Sequence, residues 1–207
     1  MIHAHRRRSL LPTGPERGQS MVELAVVLPF LLFVILGGIE FGFIFTNNLT
    51  MEYSSREGAR VGAQLANGGG TLGCGAGQSP NAASVDPRII AAVERVLESS
   101  GSPINPSQVL EIRIYKANAA GREVAGRVNV WRYTLNAGPL IDGQRLDFSQ
   151  VSVGWQACSR LNTQPADSIG VALGYRYTLQ TPFLALSGMT GLTMYDRTVM
   201  ALNPTGQ

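Results

Sequence analysis

The stretch from Leu24 to Phe45, LAVVLPFLLFVILGGIEFGFIF, contains 22 residues and a single charge, Glu40. As a helix rising ~1.5 Å per residue it crosses the ~30 Å hydrocarbon core of a bilayer. A chain carrying such a segment must give it lipid or a large apolar partner, and 207 residues leave room for about one further domain. Arg6, Arg7, Arg8 and Arg17 precede the run, whereas Arg56 and Arg60 form a weaker pair beyond it. The positive-inside rule therefore places the N-terminus in the cytoplasm and the C-terminal part outside. A cleaved secretory signal is the rival reading. It would have an apolar core of ~7 to 15 residues followed by a small-x-small cleavage site, and this run is longer and lacks such a site, so it is expected to remain as a membrane anchor.

Removing the four leader arginines from 17 basic residues and Glu16 from 14 acidic ones leaves 13 of each. The exported part is thus formally neutral, and no nucleic acid or other polyanion is implied as a partner. The only histidines, His3 and His5, sit in the leader. With them goes any His-dependent triad in a mature exported domain, and no CxxC pair suggests a metal site. The Gly-rich segment 67–85 lacks the Gly-Lys-Ser/Thr of a phosphate-binding loop. The chain is expected to be no enzyme and to need no cofactor.

The junction reads Arg17-Gly18-Gln19-Ser20-Met21-Val22-Glu23 and runs straight into the apolar segment. Glycine lets a protease approach the backbone closely, and a carboxylate at the mouth of an apolar helix is costly unless it finds a partner or the positive end of the helix dipole. With cleavage between Gly18 and Gln19, Glu23 becomes residue five of the mature chain. This arrangement resembles the type IV prepilin signal. The resemblance implies a prepilin peptidase acting after Gly18, and a Glu23 carboxylate that pairs with the freed amino terminus of a neighbouring subunit during assembly.

The wider segment resembles the TadE-like proteins of the tight adherence (Tad or Flp) pilus system, at Val22, Glu23, Leu28, Pro29, Glu40, Phe41 and Gly42, then at Arg56, Glu57, Ala59 and Arg60. A fainter likeness follows in Gly174-Tyr175-Arg176-Tyr177, Thr181-Pro182-Phe183 and Gly191-Leu192-Thr193. Gln19 stands where mature type IV pilins often carry an aromatic residue. The exported domain is far larger than the tiny major Flp pilin, so the resemblance implies a minor pilin or pseudopilin taking part in pilus assembly and adhesion. Its implied partners are the prepilin peptidase, the major Flp pilin, other minor pilins and the inner-membrane assembly platform. Within the anchor, Pro29 implies a kink, Glu40 a pairing site for another subunit's anchor or a group reaching the headgroups, and Gly38 with Gly42 a small-xxx-small helix contact. The alternative is an uncleaved, single-pass, membrane-anchored binding protein.

The expected fold is α+β. A basic leader (1–18), a transmembrane helix (19–45) and its helical extension (46–66) form a pilin-like spine. An exported domain (67–207) adds a small helix and an antiparallel sheet of about four strands. In the extension Leu49 and Tyr53 share a face, and Glu52 pairs with Arg56 at i,i+4. Residues 67–85 read as a loop, Asp86 as the N-cap and Pro87 as the first residue of a helix. Ile89, Ile90, Val93, Val96 and Leu97 make its buried stripe. Strands are expected at 110–115, 128–135, 169–179 and 192–202. Trp131 and Trp155 read as core, Asp142 and Asp147 as solvated turn residues. Cys74 and Cys158, both on the outer side, are expected to form one disulfide.

Overall fold

The computed structural model describes residues 16–69, 74, 82–181 and 188–203. The expected leader arginines Arg6, Arg7 and Arg8, both histidines, most of the Gly-rich segment and Pro182-Phe183 lie outside these residues.

Helix α1 (Glu16–Leu65) runs for 50 residues through Pro29 without interruption, a length of about 75 Å. α2 (Ala82–Leu97) packs across its C-terminal half. The strands are β1 (Val109–Ala117), β2 (Glu123–Tyr133), β3 (Leu140–Ile141), β4 (Gln144–Arg145), β5 (Phe148–Val153), β6 (Ser168–Thr178) and β7 (Gly191–Ala201). β3 and β4 form a small hairpin, and the other five make an antiparallel sheet in the order β5-β2-β1-β6-β7. The α+β class and the helical spine are as expected, with five strands in the main sheet rather than about four.

Period-two alternation explains which face of the sheet meets the helices. Ile169, Val171, Leu173, Tyr175 and Tyr177 of β6 and Ile112 and Ile114 of β1 are all buried, and join Ile89, Ile90, Val93 and Leu97 of α2 in one core. Trp131 and Trp155 are buried as well.

The packing stripe of α1 differs from the expected one. Tyr53 is 61% exposed, and the residues turned inward are Met51, Ser54, Ser55, Gly58, Ala59 and Gly62. Small side chains dominate because α2 and β6 come very close. A Cβ on Gly58 would lie 2.6 Å from Cγ2 of Val93, and one on Gly62 would lie 2.7 Å from Cδ1 of Ile169. Val93 is β-branched and has little freedom to yield. Gly58→Leu is therefore expected to destabilise the domain by about 1–3 kcal/mol through overpacking, even after the ~1 kcal/mol that removing a helical glycine returns. Gly38→Ala is the control, since a Cβ there meets nothing within 4 Å. Thermal unfolding in a non-ionic detergent should separate the two variants, and equal midpoints would refute the close-packing account.

The start of α2 also departs from expectation. The helix already includes 82–85, and Asp86 is a buried residue inside it rather than a cap. Its carboxylate accepts from Nη2 of Arg160 at 2.5 Å and from Nδ2 of Asn129 at 2.6 Å. A carboxylate held by a buried guanidinium and an amide is not available to cap a helix. Asn129 also accepts from the backbone N–H groups of Gly154 and Trp155, and Arg160 stacks 4.6 Å from the Trp155 ring. Beside this network Cys74 and Cys158 form the expected disulfide. Closing a loop of 84 residues constrains the unfolded chain by ~4 to 5 kcal/mol on the entropy model.

Candidate functional site

The features singled out in the sequence fall along α1, which has two environments. No residue from Gly18 to Ile39 is buried, and the apolar side chains there are among the most exposed of the protein: Met21, Val26 and Phe30 each exceed 70%. Those 22 residues extend ~33 Å, about one hydrocarbon core. The helix is long and apolar enough to cross a membrane, which is compatible with a single-pass membrane protein. Near its start, Nε2 of Gln19 donates to Oε1 of Glu23 at 3.1 Å, an exposed i,i+4 contact. Glu23 thus stands on the unpacked part of the helix, one turn beyond Gln19. Pro29 sits farther along the same exposed segment, and beside Gly38 and Gly42 a Cβ would meet open space.

At Glu40 the environment changes. This carboxylate is fully buried, and both its oxygens are occupied by donors from its own chain. Oε1 accepts from the Tyr177 hydroxyl at 2.5 Å and from the backbone N–H of Gln180 at 3.0 Å, and Oε2 accepts from the backbone N–H of Thr181 at 2.8 Å. β6 supplies the first donor, since Tyr177 is the last inward residue of its alternating stripe, and Gln180 and Thr181, just past the end of the strand, supply the other two. Burial first, and then the Glu40 carboxylate, push the Tyr177 phenol above its ordinary range, so it remains a proton donor. The expectation that Glu40 meets another subunit's anchor or the headgroups gives way to a link within one chain, since all three donors belong to the exported domain. Phe41 and Phe45, turned away from Glu40 around the helix, stay exposed. One face of α1 thus enters the domain five residues before the apolar run ends, while the other face stays apolar and open.

Higher on α1, the Ser55 hydroxyl contacts the carboxylate of Asp196 and lies 2.8 Å from the hydroxyl of Thr198, joining the helix to β7. Glu52 and Arg56 form the expected i,i+4 pair, and Arg60 pairs with Glu57.

A second polar cluster was not assembled from the sequence. Glu94 on α2 and Glu98, one turn farther and just past the end of that helix, meet Asp147, which precedes β5. Asp147, expected to be merely solvated, is half-buried: its Oδ1 accepts from the backbone N–H of Asn136 at 2.7 Å, and its own N–H donates to Oε1 of Glu94 at 2.9 Å. Asp142 is exposed as expected. Burial pushes the Glu94 carboxyl up to about 7, with Glu98 and Asp147 adding to the rise and the Asp147 N–H opposing it. The Glu94–Glu98 spacing is legible in the sequence as a like-charge i,i+4 pair; its burial against a distant loop is not.

Compared with known proteins, residues 18–60 match the family model described as TadE-like protein, about a fifth of the chain. No curated protein and no solved structure matches.

Proposed function

From a TadE-like segment that spans the exposed anchor and the first contacts of the domain, we propose that this chain is a minor pilin or pseudopilin of a Tad (Flp) pilus. It is inserted with its domain outside and acts by packing against other pilin subunits rather than by catalysis. The observation that carries this reading is the unburied helix from Gly18 to Ile39, with Glu23 at its entrance. Such a surface needs lipid before assembly, and within a filament it can exchange lipid for neighbouring helices. Pro29 and Gly38 lie on it, and Gly42 one turn beyond Gly38, where close approach or bending is useful.

In this reading a prepilin peptidase cuts between Gly18 and Gln19, and the new amino terminus of one subunit pairs with Glu23 of the next. The major Flp pilin, companion minor pilins and the inner-membrane platform are the partners, and priming or capping of the filament is the task. The domain adds bulk at a defined height above the membrane because Glu40 and Ser55 fix it to the helix. Deleting this chain is expected to abolish or sharply reduce filaments seen by electron microscopy, with the level of major pilin in the membrane unchanged. Normal piliation in the deletion strain would remove the proposed role.

A further inference from the structure

A cavity of about 680 Å³ opens between α2, the β3–β4 hairpin and the segment leading into β5. Glu94, Glu98 and Asp147 are among its lining residues, and one carboxylate oxygen from each lies within 4.8 Å of the other two. Two oxygens bound to one Ca²⁺ at ~2.4 Å each span up to about that distance. Like charges held so close repel unless something positive joins them.

Among the described residues no cationic side chain fills that place. Among the described residues no lysine or arginine forms an ion pair with any of the three carboxylates. Arg95 and Arg145 also line the cavity, but Arg145 donates Nη1 to the carbonyl of Gly138 at 3.0 Å, and Arg95 acts electrostatically on Glu57. An independent sign comes from hydrogen bonding. Glu94 is only 7% exposed, and its Oε2, turned away from water, has no hydrogen-bond partner. A buried carboxylate oxygen left without a donor costs free energy, whereas a bound cation would satisfy it. Its Oε1 is already fixed by the Asp147 N–H, so the carboxylate is held in place with one oxygen free.

We infer that Glu94, Glu98 and Asp147 form a binding site for a hard divalent cation, calcium, on the exported domain. The ligand set contains only carboxylate oxygens, with neither imidazole nor thiolate, which disfavours zinc and copper. Ca²⁺ accepts six to eight oxygens in irregular arrangements, and the open cavity leaves room for water to complete the shell. Asp142 also lines the cavity. Bound there, the ion would tie α2 to the hairpin and to the start of the β5 edge strand.

The test is calorimetric titration of CaCl₂, and separately of MgCl₂, into the full chain stripped with chelator in a non-ionic detergent. Saturable Ca²⁺ binding is expected, with Kd of ~10⁻⁴ to 10⁻³ M, the range of extracellular modules, together with a rise in the thermal midpoint. Glu98→Gln alters an exposed side chain. It should weaken Ca²⁺ binding at least about tenfold, a loss of roughly 1.4 kcal/mol, while its midpoint in EDTA is no lower than that of the unaltered chain. No saturable Ca²⁺ binding would overturn the inference, as would undiminished binding by Glu98→Gln. Tighter binding of Mg²⁺ than of Ca²⁺ would overturn the assignment to calcium.

Discussion

Glu40→Ala is expected to loosen the exported domain from its helix and to lower stability by about 2–4 kcal/mol. The substitution removes one acceptor group and strands three donors, the Tyr177 hydroxyl and the N–H groups of Gln180 and Thr181. Hydrogen bonds to a charged group contribute ~1.5–3 kcal/mol each. Part of that is returned, because the variant no longer has to desolvate a carboxylate. For a chain of this size the net loss lowers the thermal midpoint by roughly 5–15 °C. Tyr177→Phe, which removes a single donor, should cost less. Limited proteolysis of Glu40→Ala should expose the connection between β6 and β7 sooner than in the unaltered protein. An unchanged midpoint and unchanged cleavage would show that Glu40 is not what fixes the domain.

The second large effect is expected from Glu23→Val, and it should appear in assembly rather than in folding. Glu23 lies on the exposed part of α1, where its carboxylate accepts from Gln19, so valine removes nothing from the folded domain. Insertion should not suffer either, since valine suits lipid better than a carboxylate does. On the proposed function, what is lost is the charge that would pair with a neighbour's amino terminus. A carboxylate without a partner at membrane depth costs ~2.5–3.5 kcal/mol, so pairing contributes up to about that much per contact. Filament incorporation of the variant should then fall by a factor of about ten or more, with processing after Gly18 intact. Immunoblots of sheared and membrane fractions would show this, and normal incorporation would argue against the carboxylate's role.

The two halves of α1 were unequally legible in the sequence. Twenty-two nearly uncharged residues mark a helix long and apolar enough to cross a membrane, and the spacing from Gly18 to Glu23 is local. The packed half announces itself through small residues, Ser54, Ser55, Gly58, Ala59 and Gly62, rather than through apolar periodicity. A search for large apolar residues therefore found Leu49 and Tyr53 instead. Alternation located four strands within a few residues of their positions. It missed β5, an edge strand whose Val151 and Val153 face solvent, so its pattern lacks the buried apolar period of β6. Asp86-Pro87 has the local chemistry of a helix start, yet Arg160, 74 residues away, claims the carboxylate. Glu40 stood out as a charge in an apolar run, but its partners lie some 140 positions along the chain. Side-chain chemistry shows that a group needs a partner; only the fold shows which one it has.

The most direct measurement is the N-terminal residue of the native protein, determined by peptide mass spectrometry on membrane and sheared filament fractions. A processed subunit that assembles through Glu23 should begin at Gln19 in both. A chain that still carries the residues before Gln19 in its mature, membrane-bound form would contradict the account and leave a tethered domain in its place.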